Sequence, residues 1–400
     1  MTKTLANAHA LFCGLKSVPS YLAQLDIGDD ARRNLMSARQ KVRTTLRAAA
    51  ASQIHTVDEY WQGGWNSAAK RLARMRIEVK FMTQGSFAYK TINDPAQLSQ
   101  EIDLDDGMYV PVEFLDNGEP ALTAKGLFDF VYNTLTPLAR AEGWRGVERK
   151  QNCVRVKLWQ GAHLDIPIYS VPGERFSLMS EELAKSTQDS ALTRKAVLDS
   201  FRLPTDKVML ARKDGTWIQS DPKKLQDWVD RRVEQYGAVY LRLCRFFKGW
   251  RDYSWTNGSL SSLCLMCAID QALIDFSNAA GGLPGEDRDD FLVMEVAKRL
   301  PAILQDEVCN PVLDSCLNGW EDDTRRDIVA KANALNAQMV SALERTGDAE
   351  EVVKRLRASF GQRIPYRPDA VKIAGAQINA VLHAQPAKNP APHVISSTSG

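Results

Sequence analysis

Long apolar runs are missing from this chain of 400 residues: none approaches the roughly 20 consecutive residues that cross a bilayer. No membrane span is expected, and the stretch Leu5 to Leu15, interrupted by Asn7 and His9, does not make a secretion signal. An excess of charge is missing too, since the net charge is only +2, although basic residues gather locally. Cysteines are few and odd in number, seven in all, at Cys13, Cys153, Cys244, Cys264, Cys267, Cys309 and Cys316. Lying mostly in apolar surroundings, they read as reduced thiols of a cytoplasmic protein. Cys264-x-x-Cys267 has no second ligand pair at zinc spacing and falls inside the apolar run Leu263 to Ile269, which favours core thiols over a metal site. With 44% hydrophobic and 25% charged residues the chain is an ordinary globular protein, long enough for two packed domains or for one with a helical annex.

What is present concentrates between Phe81 and Pro111, FMTQGSFAYKTINDPAQLSQEIDLDDGMYVP. Val79 to Thr83 reads as a short strand that Gln84-Gly85-Ser86 breaks, the glycine allowing backbone to approach a ligand. Ile102, Leu104 and Met108 to Val110 read as a second strand, so Asp103 and Asp105 project from one face. Two carboxylates about 7 Å apart on a strand face repel unless a cation sits between them. Hard oxygen ligands at that spacing suit magnesium shared with a nucleotide phosphate. A solvated acidic turn is the other reading, because Asp-x-Asp-Asp-Gly also punctuates loops.

Upstream, Asp29 and Asp30 cap a long helix whose Ala31, Leu35, Ala38, Val42, Leu46 and Ala49 share a face, a spine packed along a sheet. Arg32, Arg33, Arg39, Lys41, Arg43 and Arg47 fill its other side, and Lys70, Arg71, Arg74, Arg76 and Lys80 form a second cluster. Such clusters meet either phosphate or solvent. Gly63-Gly64 marks a break before a helix over Ala68 to Arg74, and Asn117-Gly118 with Pro120 marks a turn. Leu127, Phe128, Val131, Leu135 and Leu138 predict a helix over 121–141. Val154, Val156 and Leu158 then alternate in one strand and Leu164, Ile166 and Ile168 in the next, with Gln160-Gly161 at the turn. Asp165, in AHLDIPIY, is out of phase with its apolar neighbours and points away from the core; if its strand pairs near that of Asp103, three carboxylates converge on a cation pair. Arg155 and Lys157 share a face that offers positive charge to phosphate, unless Arg155 is held in a salt bridge with Asp165.

Residues 172–204, with Arg194, Lys195 and Arg202, carry little pattern. Ser220 or Asp221 caps a helix beginning at Pro222. Val233, Tyr236, Val239, Tyr240, Leu243, Phe246, Phe247 and Trp250 form an apolar stripe from which Lys248 falls away, leaving it free. After Asn257-Gly258, the serines Ser259, Ser261 and Ser262 open another helix, as caps or as phosphate ligands. Helices follow over 287–302 and 325–345, and the Pro-, Ser- and Ala-rich end from Ala384 reads as a disordered tail.

Gly85-Ser86, Asp103-x-Asp105 and Asp165 stand in the order of the DNA polymerase β-type nucleotidyltransferases. With QGSFAY, EIDLDDGMYVP, HLDIPIY, WIQSDPK and CRFFKGWRD followed by a serine pair, the chain resembles the bacterial cyclic GMP-AMP synthases of the CD-NTase family over residues 30–320. The resemblance implies an α+β fold: a mixed-sheet nucleotidyltransferase core with the spine helix over 1–218, a helical domain over 219–380, a flexible tail over 381–400, and an active site in the cleft. It implies ATP and GTP as substrates and two Mg²⁺ ions, replaceable by Mn²⁺, held by the catalytic Asp103, Asp105 and Asp165. It assigns nucleotide contacts to Gln84, Gly85, Ser86, Tyr89, Arg155, Ser220, Lys248 and Ser262. The product would be 3′,3′-cyclic GMP-AMP, read by a downstream effector in anti-phage (CBASS) signalling. The segment after Leu300-Pro301 is shorter than the family pattern, with Asn310 or Asp314 nearest its acidic position, which bears on the choice of second base. No zinc-binding insertion is present, so activation by duplex DNA is not expected. The ending ISSTSG looks like a tail whose Gly400 conjugation enzymes attach to targets. Two other functions fit the same carboxylates: nucleotide addition to RNA or a small molecule, and a cyclase with other nucleotides. A silent nucleotide sensor fits them poorly.

Overall fold

A computed structural model describes residues 4–14, 18–53, 60, 78–112, 120, 122–172, 208–220, 222–285, 287–313 and 315–374. Outside these fall the expected Gly63-Gly64 break, the basic cluster from Lys70 to Arg76, Asn117-Gly118, Arg194, Lys195, Arg202, Asp221, Asp314 and the tail with Gly400.

Helix α1 (Asp29–Gln53) buries Leu35, Ala38, Val42 and Leu46 against the sheet, as its spacing predicts. Its cations serve the protein itself. Arg43 holds the fully buried Asp106, with Nε 2.6 Å from Oδ2, and Arg39 donates to Thr83 at 2.8 Å. Arg32 pairs with Asp26, and the guanidinium of Arg47 lies 5.1 Å from the centre of the Phe81 ring.

Strands β1 (Lys80–Gln84) and β2 (Ile102–Val112) are antiparallel neighbours. Helix α2 (Ala124–Ala141), capped by Thr123, and β3 (Gly146–Arg149) precede the hairpin of β4 (Val154–Trp159) and β5 (Ala162–Ile166). Strand β6 (Ile168–Pro172) continues β5 along the edge of β2. The register Asp103↔His163 and Met108↔Ile168 is the same on both sides of Pro167, whose carbonyl still accepts from Met108. Ile168, read as the end of the second hairpin strand, therefore belongs to a segment separated from it by a proline that cannot donate to the ladder. Strands β7 (Met209–Ala211) and β8 (Trp217–Gln219) complete a mixed sheet of eight strands among the described residues.

The predicted single stripe from Val233 to Trp250 is two helices, α3 (Pro222–Tyr236) and α4 (Val239–Ser254). Gly237 separates them at φ +75°, a left-handed conformation that suits glycine. Helices α5 (Ser262–Ala280), α6 (Asp289–Gln305), α7 (Asp322–Val340) and α8 (Ala349–Phe360) finish this lobe. By length and composition α5 is long and apolar enough to cross a membrane, which amends the expectation of no such segment. Its Leu265, Ile269 and Leu273 are fully buried among the other helices, so its apolarity serves a protein core.

The first residues depart from the expected 1–218 core. Ala8, Leu11, Phe12, Tyr21 and Leu25 pack with Phe246 and Phe360 of the helical lobe, and Ala6 pairs with Ile373. The apolar content of Leu5 to Leu15 thus has a structural use. Between the lobes, the loop joining β1 and β2 is fastened to α4: Asn93 donates to the Arg245 carbonyl at 2.9 Å and Gln100 to that of Asp252 at 2.8 Å.

Candidate active site

Alternation along β2 sends Asp103 and Asp105 to the cleft face and Asp106 to the opposite face, toward Arg43. Parallel pairing with β5 sets His163 beside Asp103 and Asp165 beside Asp105. The three predicted carboxylates therefore line one patch of sheet, although they come from segments about sixty residues apart.

Each neighbour of the patch is set by local chemistry. Gly85 opens the one-turn helix Gly85–Ala88 at φ +62°, and a Cβ there would lie 2.1 Å from Asp105 Oδ2. Only glycine satisfies both the backbone and that approach. Gln84 does not face the cleft openly. It is 8% exposed; its amide donates to the Tyr109 hydroxyl at 2.8 Å and accepts from Tyr169 at 3.1 Å, so it supports the patch from behind. Gly107 leaves room for this arrangement, since a Cβ there would strike the Gln84 amide. Ser220 reaches the Tyr169 hydroxyl.

Arg155 grips Asp165 with both ends of its fork, at 2.7 and 2.8 Å, so the salt-bridge alternative describes this guanidinium. Lys157 is paired with Glu148 at 2.7 Å. Its place off the apolar stripe predicts a free Lys248, but the side chain is held. It is 5% exposed and donates to the Thr91 carbonyl at 2.8 Å across the cleft. Burial, helped by the nearby charge of Arg251, lowers its ammonium to about 8. Ser261 caps α5 by accepting from the Cys264 amide, while the Ser262 hydroxyl accepts from Arg251 at 2.9 Å.

Sequence reasoning passed over His163, Glu101 and Arg251. His163 is buried with Nδ1 2.8 Å from Glu101 Oε2 and Nε2 3.0 Å from Asp103 Oδ1. Burial would lower this ring, but contact with Asp103 and the charge of Asp165 outweigh it and hold His163 above its ordinary range. Asp105 is pushed up to about 8, first by burial and then by Asp103 and Asp165. Mutual repulsion of this kind is relieved by a cation. Among the described residues Asp103, His163 and Asp165 present ligand atoms within 4.8 Å of one another, and Asp103 Oδ1 and His163 Nε2 are buried without hydrogen-bond partners. The donors thus suit a metal ion.

Two chambers meet at this patch, of about 580 and 420 Å³. The larger is lined by Ser86, Asp103, Arg155, Lys248, Arg251 and Ser262, the smaller by Gln84, Asp165, Tyr169, Ser220, Asn310 and Leu313. Gly85, Tyr89 and Asp105 belong to both walls. All the residues predicted for the site are therefore gathered here, distributed over two compartments of ligand size.

Residues 79–169 match the nucleotidyltransferase domain of the cyclic GMP-AMP synthase DncV-like family, and residues 237–372 match the cyclic GMP-AMP synthase C-terminal domain. This chain belongs to the DncV-like cyclic GMP-AMP synthases. The synthase is 32% identical over 342 residues to the cyclic GMP-AMP synthase of Vibrio cholerae serotype O1, covering 80% of this chain and 75% of that one. It is 29% identical over 344 residues to the enzyme of that name from Escherichia coli strain TW11681, covering 81% and 76%. In three dimensions it is similar to Vibrio cholerae DncV in complex with the linear intermediate 5′-pppA(3′,5′)pG, with TM-score 0.73, 25% identity, and coverage of 94% of this chain and 100% of that one. DncV in complex with GTP and 5MTHFGLU2 gives the same score. The synthase is thus a nucleotidyltransferase of α+β fold that makes a cyclic dinucleotide.

Proposed function

We propose that the synthase joins ATP and GTP into 3′,3′-cyclic GMP-AMP, a messenger for an effector in anti-phage (CBASS) signalling. The observation that carries the reading is the pair of chambers sharing Gly85 and Asp105, because ring closure needs two nucleotides held against one set of carboxylates. Asp103, Asp105 and Asp165 would hold the magnesium ions. Bound there, the metal supplies charge neutralisation for the attacking and leaving oxygens of an in-line displacement.

The protein's own part is positional. The larger chamber suits the donor, its triphosphate meeting Ser86, Lys248, Arg251 and Ser262; the smaller suits the acceptor, between Tyr169, Ser220 and Asn310. Tyr89, on the wall both chambers share, would contact a base. Attack of an acceptor hydroxyl on the donor α-phosphorus releases pyrophosphate, and a second displacement after the linear product reseats closes the ring. Support comes also from the relatives, whose structures include ATP, GTP and a linear dinucleotide.

Purified protein given ATP, GTP and Mg²⁺ should yield one phosphatase-resistant product with the mass and nuclease pattern of 3′,3′-cyclic GMP-AMP. Only phosphatase-sensitive products, or label transferred to added RNA, would defeat the proposal. Lys248 makes a second expectation. Lowered to about 8, it is partly neutral at that pH and regains its proton beside a triphosphate. ATP binding at pH 8 in EDTA, where no metal displaces the Asp105 proton, should therefore take up protons, seen by calorimetry in buffers of different ionisation enthalpy. Lys248→Met should abolish the uptake and weaken binding roughly tenfold or more. Equal heats in all buffers for the wild type would remove Lys248 from the triphosphate site.

A further inference from the structure

Three carboxylates account for the charge of the patch but not for His163, a side chain 6% exposed at its centre. Its Nδ1 lies 2.8 Å from Glu101 Oε2, which directs the other nitrogen toward the patch. There Nε2 stands 3.0 Å from Asp103 Oδ1 and 3.9 Å from Asp165 Oδ1. Despite the short approach, neither Nε2 nor Asp103 Oδ1 has a hydrogen-bond partner, since the pair is not aligned as donor and acceptor. As a pair of opposite charge the two atoms attract, but without an aligned hydrogen bond each keeps capacity for a ligand placed between them.

Separations of this size are those of ligands around one ion. Neighbouring donors of an octahedral ion with bonds of about 2.1 Å stand about 3 Å apart, and wider angles give larger spacings. Arg155 does not preclude this, because each oxygen of Asp165 has a second lone pair. A histidine with one nitrogen on a carboxylate and the other on a metal is a recurrent device that fixes the ring and raises its basicity.

We propose that His163 is a nitrogen ligand of the metal centre, oriented by Glu101, and that it biases the site toward a first-row transition ion such as Mn²⁺ over Mg²⁺. The inference rests on reading the cleft as a nucleotidyl-transfer metal site. An imidazole favours first-row transition ions, whereas an all-oxygen set suits magnesium equally well. Asp103 and Asp165 complete the set within 4.8 Å.

The test uses the full chain loaded with Mn²⁺ alone, without nucleotide. Pulsed electron paramagnetic resonance should show a ¹⁴N coupling to the ion that becomes a ¹⁵N coupling when the protein is made with ¹⁵N-histidine, a readout needing no variant. His163→Gln should lose the coupling. In competition titrations it should also bring the Mn²⁺-over-Mg²⁺ preference down about tenfold or more. Glu101→Gln should keep the coupling and weaken Mn²⁺ binding by a smaller factor. A wild-type spectrum without histidine nitrogen, or an unchanged preference in a folded His163→Gln, overturns the proposal and makes the ring a counter-ion of Asp103. Either result leaves the proposed reaction standing if Mg²⁺ still supports product, whereas full product formation in EDTA would remove the metal reading itself.

Discussion

Asp105→Asn is expected to abolish product formation while making the metal-free protein more stable than the wild type at pH 8. The two effects have one cause. In the unfolded chain this carboxyl titrates near 3.8, whereas burial and the charges of Asp103 and Asp165 push it to about 8 in the fold. Between those values the folded protein keeps a proton that the unfolded chain gives up, so rising pH costs the wild type stability across that window. Asparagine has no such proton to lose. Thermal melts in EDTA should therefore coincide at pH 4 and separate by several degrees at pH 8, with the variant higher. Mg²⁺ should then raise the wild-type Tm by more than the variant's, because the ion replaces the proton in the one and finds a weaker ligand in the other. Product formation by the variant, or a Tm gap independent of pH, would contradict this account.

Gly85→Ala should lower activity by two orders of magnitude or more at a modest cost in stability. The alanine would have to adopt φ near +62°, which costs an L-residue about 1–2 kcal/mol. Its Cβ, 2.1 Å from Asp105 Oδ2, would also turn that carboxylate out of the patch. A matched control separates the two costs. Gly143 has φ +68° with nothing near its would-be Cβ, so Gly143→Ala incurs the backbone cost alone. Similar losses of Tm in the two variants, with activity falling only in Gly85→Ala, are expected. Full activity in Gly85→Ala would show that Asp105 has freedom to move without consequence.

The carboxylates were legible because strand alternation has period two: Asp103 and Asp105 must share a face wherever the strand lies. The in-line register that brings Asp165 to Asp105 is a property of the sheet; alternation gives the face of Asp165 and leaves open which strand lies beside it. His163 was within reach of the same rule, since it precedes Asp165 by two positions and so faces the same way; its signal was hidden in a strand read for one acid. Lys248 shows the limit of helical periodicity. A wheel describes the face turned to the helix's own lobe, whereas the partner of Lys248 is a carbonyl of the opposite lobe. The basic side of α1 misled in another way, because Asp106, its principal partner, lies on a strand no local pattern connects to it.

The seating of residues 4–14 and 18–25 among the helices bears on how the two lobes are joined. The chain passes from the helical lobe to the sheet between Leu25 and α1, and returns between β8 and α3. The loop joining β1 and β2, fastened to α4 through Asn93 and Gln100, is a third tie, and it lies off the line through the two crossings. With two crossings and that tie, the β2 floor of the cleft and the α4 wall that carries Lys248 are held in one register from three directions.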